Sequence, residues 1–199
     1  MGSVEDLIKK AIELKKKGLR TGEIADELNV SRETALWLIS KAEEGISSPP
    51  DIHISWNIIA SSSYRTRLVA KLMADLLLDT VKDDINCVVG VAISGIPLAT
   101  MVAEELDAEV AIFSPRKVKW EPDQETVKGS FSENFAKVKG RDCIIVDDVI
   151  STGSTLSEII KSISSAGGRC VAACVLVDKK GIESIEGVPV KSLLKIIRL

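Results

Sequence analysis

One stretch of thirteen residues, Cys143–Thr155 (CIIVDDVISTGST), limits the folds open to this chain more than any other. Its four leading apolar residues, three of them β-branched, read as a strand buried on both faces. That strand ends in two adjacent carboxylates, Asp147 and Asp148. A short loop rich in Ser, Thr and Gly follows, and a helix begins near Thr155. In a parallel sheet such a loop lies at the carboxyl end of a strand, where α/β folds bind their ligands. Thr152–Thr155 at the helix start offer backbone N–H groups, hydroxyls and a favourable dipole, which together suit a phosphate monoester. Gly153 lets the backbone approach closely. The carboxylates cannot serve that phosphate. They suit the hydroxyls of a ribose and, indirectly, a divalent cation. The Gly-Lys-Ser/Thr ending of a Walker loop is absent.

The residues around this motif alternate in the same way. Asn86–Ile93, Glu109–Phe113, Cys143–Val146 and Arg169–Val177 read as strands, with helices over Tyr64–Leu78, Ile96–Leu106 and Thr155–Ala166. The first of these helices has the stripe Leu68, Leu72, Leu76, Val69 and Met73, and the serines at Ser61–Ser63 can cap it. The tail Val188–Ile197 is apolar enough to dock. This order predicts an α/β domain with a mostly parallel sheet flanked by helices. Ser114–Gly140 has no sustained period, and a loop of that length in a compact domain is usually functional or mobile.

Residues 1–47 differ in character, since they read as helical throughout. The pair of prolines in Ser47–Asp51 (SSPPD) cannot continue a helix. The sequence therefore divides into a small all-α domain at 1–47, a linker at 48–55 and the α/β domain at 56–199. In the first part, Gly18 ends a helix with the stripe Leu7, Ile8, Ala11, Ile12 and Leu14. Thr21 can cap a short second helix carrying Ile24, Ala25 and Leu28. Asn29 and Val30 make a tight turn, and Ser31 can cap a third helix from Arg32 onward.

Composition removes several function classes. The chain has 26 Lys+Arg against 29 Asp+Glu, a formal charge of -3, with 45% apolar and 28% charged residues. That is neither a disordered chain nor a bulk cationic nucleic-acid binder. No apolar run approaches the roughly 18 residues that span a bilayer, and the N-terminus has no apolar core of a secretory signal. A cytoplasmic location without membrane contact is the expectation. Cys87, Cys143, Cys170 and Cys174 sit among Val, Ile and Ala and read as small buried hydrophobes rather than metal ligands. There is no CxxC, and His53 is the only histidine, which argues against a zinc site or a Ser-His-Asp triad. No direct protein ligand to a metal is expected.

Gly18–Ser40 resembles the helix-turn-helix of bacterial and archaeal transcription regulators. The resemblance implies that Thr21, Ser31, Arg32, Glu33, Thr34 and Trp37 face DNA, with the start of the third helix in a major groove. The alternative is a helical interaction module. The segment is not basic, with eight basic and nine acidic residues over 1–47, and Leu36 and Trp37 stand where base-reading polar residues are common.

Cys143–Thr155 resembles the phosphoribosyl diphosphate (PRPP) signature of the type I phosphoribosyltransferases, and that resemblance extends over Trp56–Leu199. It implies their fold. Asp147 and Asp148 would face the ribose, and Ser151, Thr152, Gly153, Ser154 and Thr155 would hold the 5′-phosphate. Val91–Thr100 resembles the pyrophosphate loop of the orotate branch, so Ser94 and Gly95 would offer N–H groups to diphosphate. Arg116, Lys117 and Lys119 fall in the long loop, where the family has a mobile catalytic loop that closes over diphosphate. In an active enzyme Lys117, Lys119, Asp147 and Asp148 would be the catalytic set. Mg²⁺ would enter with PRPP, held mainly through ligand and water.

Three positions depart from the orotate pattern. Ser94 stands where those enzymes usually carry a lysine that reaches pyrophosphate. The loop has Trp120 and Glu121 after Lys119 instead of a Lys-x-His arrangement. Ser157 replaces the arginine that pairs with the orotate carboxylate, and serine cannot give a bidentate cation. Each lost charged contact to a leaving diphosphate costs about 3 kcal/mol, or ~100-fold or more in rate. Helix-turn-helix, proline linker and altered transferase domain together resemble the archaeal orotate phosphoribosyltransferase-like regulators. The expectation is a homodimeric DNA-binding regulator on a pseudo-palindromic operator, sensing PRPP or another phosphorylated sugar and controlling sugar or nucleotide metabolism. The alternative is an active phosphoribosyltransferase of orotate or purine type.

Overall fold

The computed structural model describes residues 4–40, 51–82, 84–115 and 129–197. They form two compact units, divided after Trp56.

The first unit has three helices, α1 (Val4–Lys16), α2 (Thr21–Glu27) and α3 (Arg32–Ser40). Gly18 ends α1 with φ +91, and the N–H groups of Gly18 and Leu19 return to the carbonyls of Lys15 and Leu14. That is a Schellman closure, which needs a left-handed residue and so favours glycine. The core is Ile8, Ala11, Ile24, Ala25, Leu28, Val30, Ala35 and Leu38. Thr21 is the first residue of α2 and not its cap. Arg20 is the cap, and its N–H donates to Glu23 Oε2 at 3.0 Å, so the acid three residues on satisfies the helix start. Residues 51–54, within the expected linker, fold onto the α2–α3 turn. Asp51 Oδ2 accepts from Ser31 N–H at 2.5 Å, Ile54 O accepts from Asn29 Nδ2 at 3.2 Å, and His53 Nδ1 lies 2.6 Å from Leu28 O.

The second unit is a seven-stranded sheet in the order β3-β2-β1-β4-β5-β7-β6. Its five central strands, β1 (Cys87–Val91), β2 (Glu109–Ser114), β4 (Asp142–Ile150), β5 (Arg169–Asp178) and β7 (Val188–Lys195), pair in parallel. The two-residue strands β3 (Ser130–Phe131) and β6 (Ser184–Ile185) pair antiparallel at the edges and are too short to carry a sequence period. Helices α4 (Asn57–Ala60), α5 (Ser63–Leu78), α6 (Gly95–Leu106) and α7 (Ser154–Ser165) complete the unit.

Both faces of the sheet are covered, which is why its central strands are continuous apolar runs. Cys87, Val89 and Val91 of β1 share a core with Leu156, Ile159 and Ile163 of α7. On the opposite face α6 lies so close to β1 that a Cβ on Gly90 would sit 2.8 Å from Ala99 Cβ. Only glycine admits that approach. Ser62 caps α5, accepting from Arg65 N–H. The buried side of α5 is Thr66, Ala70, Met73, Ala74 and Leu77, so of the stripe read from the sequence only Met73 is in the core, while Leu68 and Leu72 are exposed. β4 continues past the acid pair to Ile150 instead of ending at Val146, because its pairing with β5 continues from Asp147↔Val175 to Ile150↔Asp178.

Among the described residues no helix is long and apolar enough to cross a membrane, and no group of three or more His, Cys, Asp or Glu is placed to hold a metal ion. All four cysteines are free thiols, three buried and Cys170 half-buried. Burial pushes the Cys170 and Cys174 thiols up to about 12. Both should stay protonated and unalkylated by iodoacetamide at pH 7.5 in the native protein and react on denaturation, as read by peptide mass mapping. Rapid native labelling of Cys174 would contradict this packing.

Candidate functional site

Strand order reverses between β1 and β4, since β2 lies on one side of β1 and β4 on the other. Such a switch point leaves a crevice at the carboxyl ends of the strands. Two loops open there: residues 92–94 lead from β1 into α6, and residues 151–153 lead from β4 into α7. The Ala92–Ile93 peptide is cis.

The two loops are joined by the acid pair. Gly95, the first residue of α6, packs on Asp147, where a Cβ would lie 2.9 Å from both Asp147 Oδ1 and Val146 O. Ser94 makes no cap to α6. Its Oγ donates instead to Asp148 Oδ1 at 2.9 Å. Asp147 is half-buried and Asp148 only 4% exposed. Asp148 N–H donates to Asp147 Oδ1 at 2.9 Å, and Val149 N–H to Asp148 Oδ1 at 2.8 Å. Main-chain donors and Ser94 thus stabilise two carboxylates side by side. Held in place by these donors, the pair has the chemistry to accept from ribose hydroxyls and to meet a cation through water and ligand.

Beyond the pair, Ser151, Thr152 and Gly153 turn the chain into α7. Gly153 has φ +83 and precedes Ser154 and Thr155, the first residues of the helix. A Cβ on Gly153 would meet Ile185 Cδ1 at 2.7 Å and Ile182 Cδ1 at 3.3 Å. Thr152 Oγ1 and Ser154 Oγ are 2.9 Å apart. The result is a cup of backbone N–H groups and hydroxyls at a helix start, the arrangement that receives a phosphate.

Sequence reasoning missed two supports of this cup. Asp178, fully buried at the end of β5, accepts from the N–H groups of Lys180, Gly181 and Ile182 at 2.6–2.9 Å. It thereby fixes the segment that brings Ile182 and Ile185 against Gly153. An Asp followed by Lys-Lys-Gly after an apolar strand is a turn signal that could have located it. The second is Glu186, in a two-residue hairpin with Gly187, both left-handed. Ser157 Oγ donates to Glu186 Oε1 at 2.7 Å, and Lys161 Nζ lies 2.9 Å from the same oxygen. Lys161 first, and then Ser157, hold the Glu186 carboxyl below the usual glutamate range. Ser157 is therefore turned to a carboxylate of its own chain. Arg116, Lys117 and Lys119 lie outside the described residues.

In the first unit the start of α3 is engaged internally. Ser31 Oγ accepts from Thr34 N–H at 3.1 Å, while Ser31 N–H is taken by Asp51. Thr34 is buried, its Oγ1 2.8 Å from Ser31 Oγ. Trp37 is half-buried and packs against the helical core, and Thr21 is half-buried at the start of α2. Glu33 is exposed. Arg32 extends its guanidinium over α2, 3.9 Å from the Cβ position of Gly22.

These contacts have measurable consequences. Gly153→Ala should lower stability by about 1–3 kcal/mol in denaturant unfolding, because it combines a left-handed φ with a clash. Gly140 also has positive φ, but no atom lies within 4 Å of its Cβ position, so Gly140→Ala should cost less. Equal losses would remove the packing argument. Asp51→Ala should cost about 1 kcal/mol at the start of α3, seen as faster amide exchange at Ser31.

A family model described as phosphoribosyl transferase domain matches residues 55–197. A protein of Archaeoglobus fulgidus named transcriptional regulator GfcR is 52% identical over 200 residues, covering all of both chains. A protein of the same name from Methanocella arvoryzae is 47% identical over 206 residues, again covering all of both chains. Among solved structures, adenine phosphoribosyltransferase from Rhodothermus marinus superposes with a TM-score of 0.58 at 24% identity, covering 76% of this chain and 90% of that one. The second unit has the type I phosphoribosyltransferase fold. With full-length identity at this level and the domain match over its second unit, the chain belongs to the GfcR family of transcriptional regulators, built on a phosphoribosyl transferase domain.

Proposed function

We propose that this protein is a DNA-binding transcriptional regulator whose phosphoribosyltransferase-like domain serves as a receptor for PRPP or another phosphorylated sugar. One observation carries the reading: the phosphate cup and acid pair are built and supported, while Ser94 and Ser157, at the positions that serve catalysis and orotate in the enzymes, are bonded to Asp148 and Glu186. A domain so arranged keeps the means to hold a sugar phosphate, and at position 157 it offers a serine rather than a cation to an acceptor carboxylate.

In this reading the 5′-phosphate rests on the 151–155 segment, neutralised by N–H groups and the helix dipole. Asp147 and Asp148 accept hydrogen bonds from the ribose hydroxyls. Arg116, Lys117 and Lys119 supply positive charge to a diphosphate, and Ser94 and Gly95 offer it backbone N–H groups. Mg²⁺ accompanies PRPP and offsets the diphosphate charge. Residues 1–47 form the DNA-binding domain, 48–55 the connection and 56–199 the receptor, in a cytoplasmic homodimer that presents two third helices to a pseudo-palindromic operator. Residues 1–47 carry a net charge of -1, so non-specific attraction to DNA is weak and binding depends on two half-sites. Ligand changes DNA affinity only by as much as it prefers one of two states of the dimer.

The test is a gel shift of the full chain across a genomic fragment library, with and without PRPP and sugar phosphates. A retained fragment whose midpoint moves with ligand is expected. Failure to retain any duplex at low salt would remove the regulator reading. Thr155→Glu, which sets a carboxylate at the helix start, should abolish PRPP binding in calorimetry, and equal affinity in wild type would contradict the cup. The retained acid pair also supports an active transferase as a second reading. PRPP consumption with orotate or purine bases separates the two: turnover far below ~10 s⁻¹, a typical enzyme value, is expected.

A further inference from the structure

α5 is apolar on two opposite sides. Its inner side, with Thr66, Ala70, Met73 and Leu77, faces the core. On its outer side Tyr64, Leu68 and Leu72, four residues apart, are 70%, 46% and 59% exposed. A helix on a domain surface normally turns charged and polar residues outward. Of the twelve exposed large apolar side chains among the described residues, five lie between Ile58 and Leu78. Such clustering marks an interaction surface, whereas scattered single residues do not.

The charges on this side say what covers it. Arg65 stands at the start of the stripe, and Asp75 and Asp79 stand at its end, all exposed. Arg67 and Lys71, on the flank, are directed to Glu105 of α6, at 3.8 and 3.6 Å. The outer side is thus basic first and acidic last, with an apolar middle. Two copies laid antiparallel satisfy both features at once. About an axis midway between Leu68 and Leu72, Leu68 meets the partner's Leu72, Tyr64 meets the partner's Leu76, and Arg65 comes level with the partner's Asp75. Each pairing occurs twice, as an isologous interface requires. A parallel arrangement would set like charges together.

The geometry points to the outer side of α5 as the surface on which a second copy of this chain docks, antiparallel, with an Arg65–Asp75 pair closing each end. This inference rests on the homodimer in the proposed function and locates its contact. The interface is built on a scaffold helix of the receptor domain, outside the phosphate cup, so its loss leaves the ligand-binding residues in place.

Sedimentation equilibrium of the full chain tests it. Wild type is expected at twice the chain mass. Leu68→Asp with Leu72→Asp should raise the dimer dissociation constant roughly 100-fold or more with an unchanged circular-dichroism spectrum, since both side chains are exposed in the single chain. Arg65→Asp and Asp75→Arg should each weaken the dimer, and the two together should restore it, a rescue that misfolding cannot produce. A dimer unaffected by the double aspartate variant, or a charge swap without rescue, overturns this face and leaves the dimer standing. A wild type monomeric at every concentration overturns both, and the stripe then belongs to a different protein.

Discussion

The contact between Gly95 and Asp147 organises the phosphoribosyl transferase domain. The start of α6 lies on β4 at a distance no side chain permits, and this brings the loop after β1 against the loop after β4. Ser94 then reaches Asp148, across 54 residues of sequence. A second close approach, α6 over Gly90, holds the same helix down along β1. The crevice is therefore shaped by two glycines that contribute no chemistry. The carboxylates beside them gain fixed positions from main-chain N–H groups, and fixed positions are what a ligand-selective site needs.

The other half of the crevice depends on a buried carboxyl group. Asp178 gathers three consecutive N–H groups, and the loop so formed sets Ile182 and Ile185 under Gly153. The turn at Gly153 is thus apolar underneath, against Ile182 and Ile185, and lined by hydroxyls above. In the proposed reading, a few side chains around this frame decide between receptor and enzyme. Ser94 and Ser157 are each bonded to a carboxylate of their own chain. A phosphate held by backbone N–H groups and hydroxyls at the start of α7 would not need a cation at either position.

Much of this was legible from local pattern. Strands buried on both faces, a Gly-rich turn after an acid pair and a helix behind it are contiguous in sequence, and their order places the site at the carboxyl edge. Contacts between distant segments were not legible. Nothing near Ser157 announces Glu186, 29 residues away, and nothing near Ser31 announces Asp51. The end of β4 is not legible locally, because polar residues look like a terminus, whereas the partner strand β5 continues to pair with them. The stripe on α5 failed for a different reason. A helix apolar on two sides gives overlapping periods, and periodicity alone does not say which side meets the core. The N-terminal unit shows the same limit. A cap at Ser31 is a local property, while the burial of Thr34 and the closure of the helix start by Asp51 depend on how three helices and residues 51–54 pack.

The central claim is that the phosphoribosyltransferase-like domain is a receptor coupled to DNA. Linkage makes this testable without knowing the regulated genes. Once a duplex is found, the PRPP dissociation constant can be measured by calorimetry on the full chain, free and saturated with that duplex. The account predicts two different values, their ratio equal to the factor by which PRPP changes duplex affinity and of the order of 5–150-fold. The same PRPP affinity in both states, or no PRPP binding in either, would contradict it.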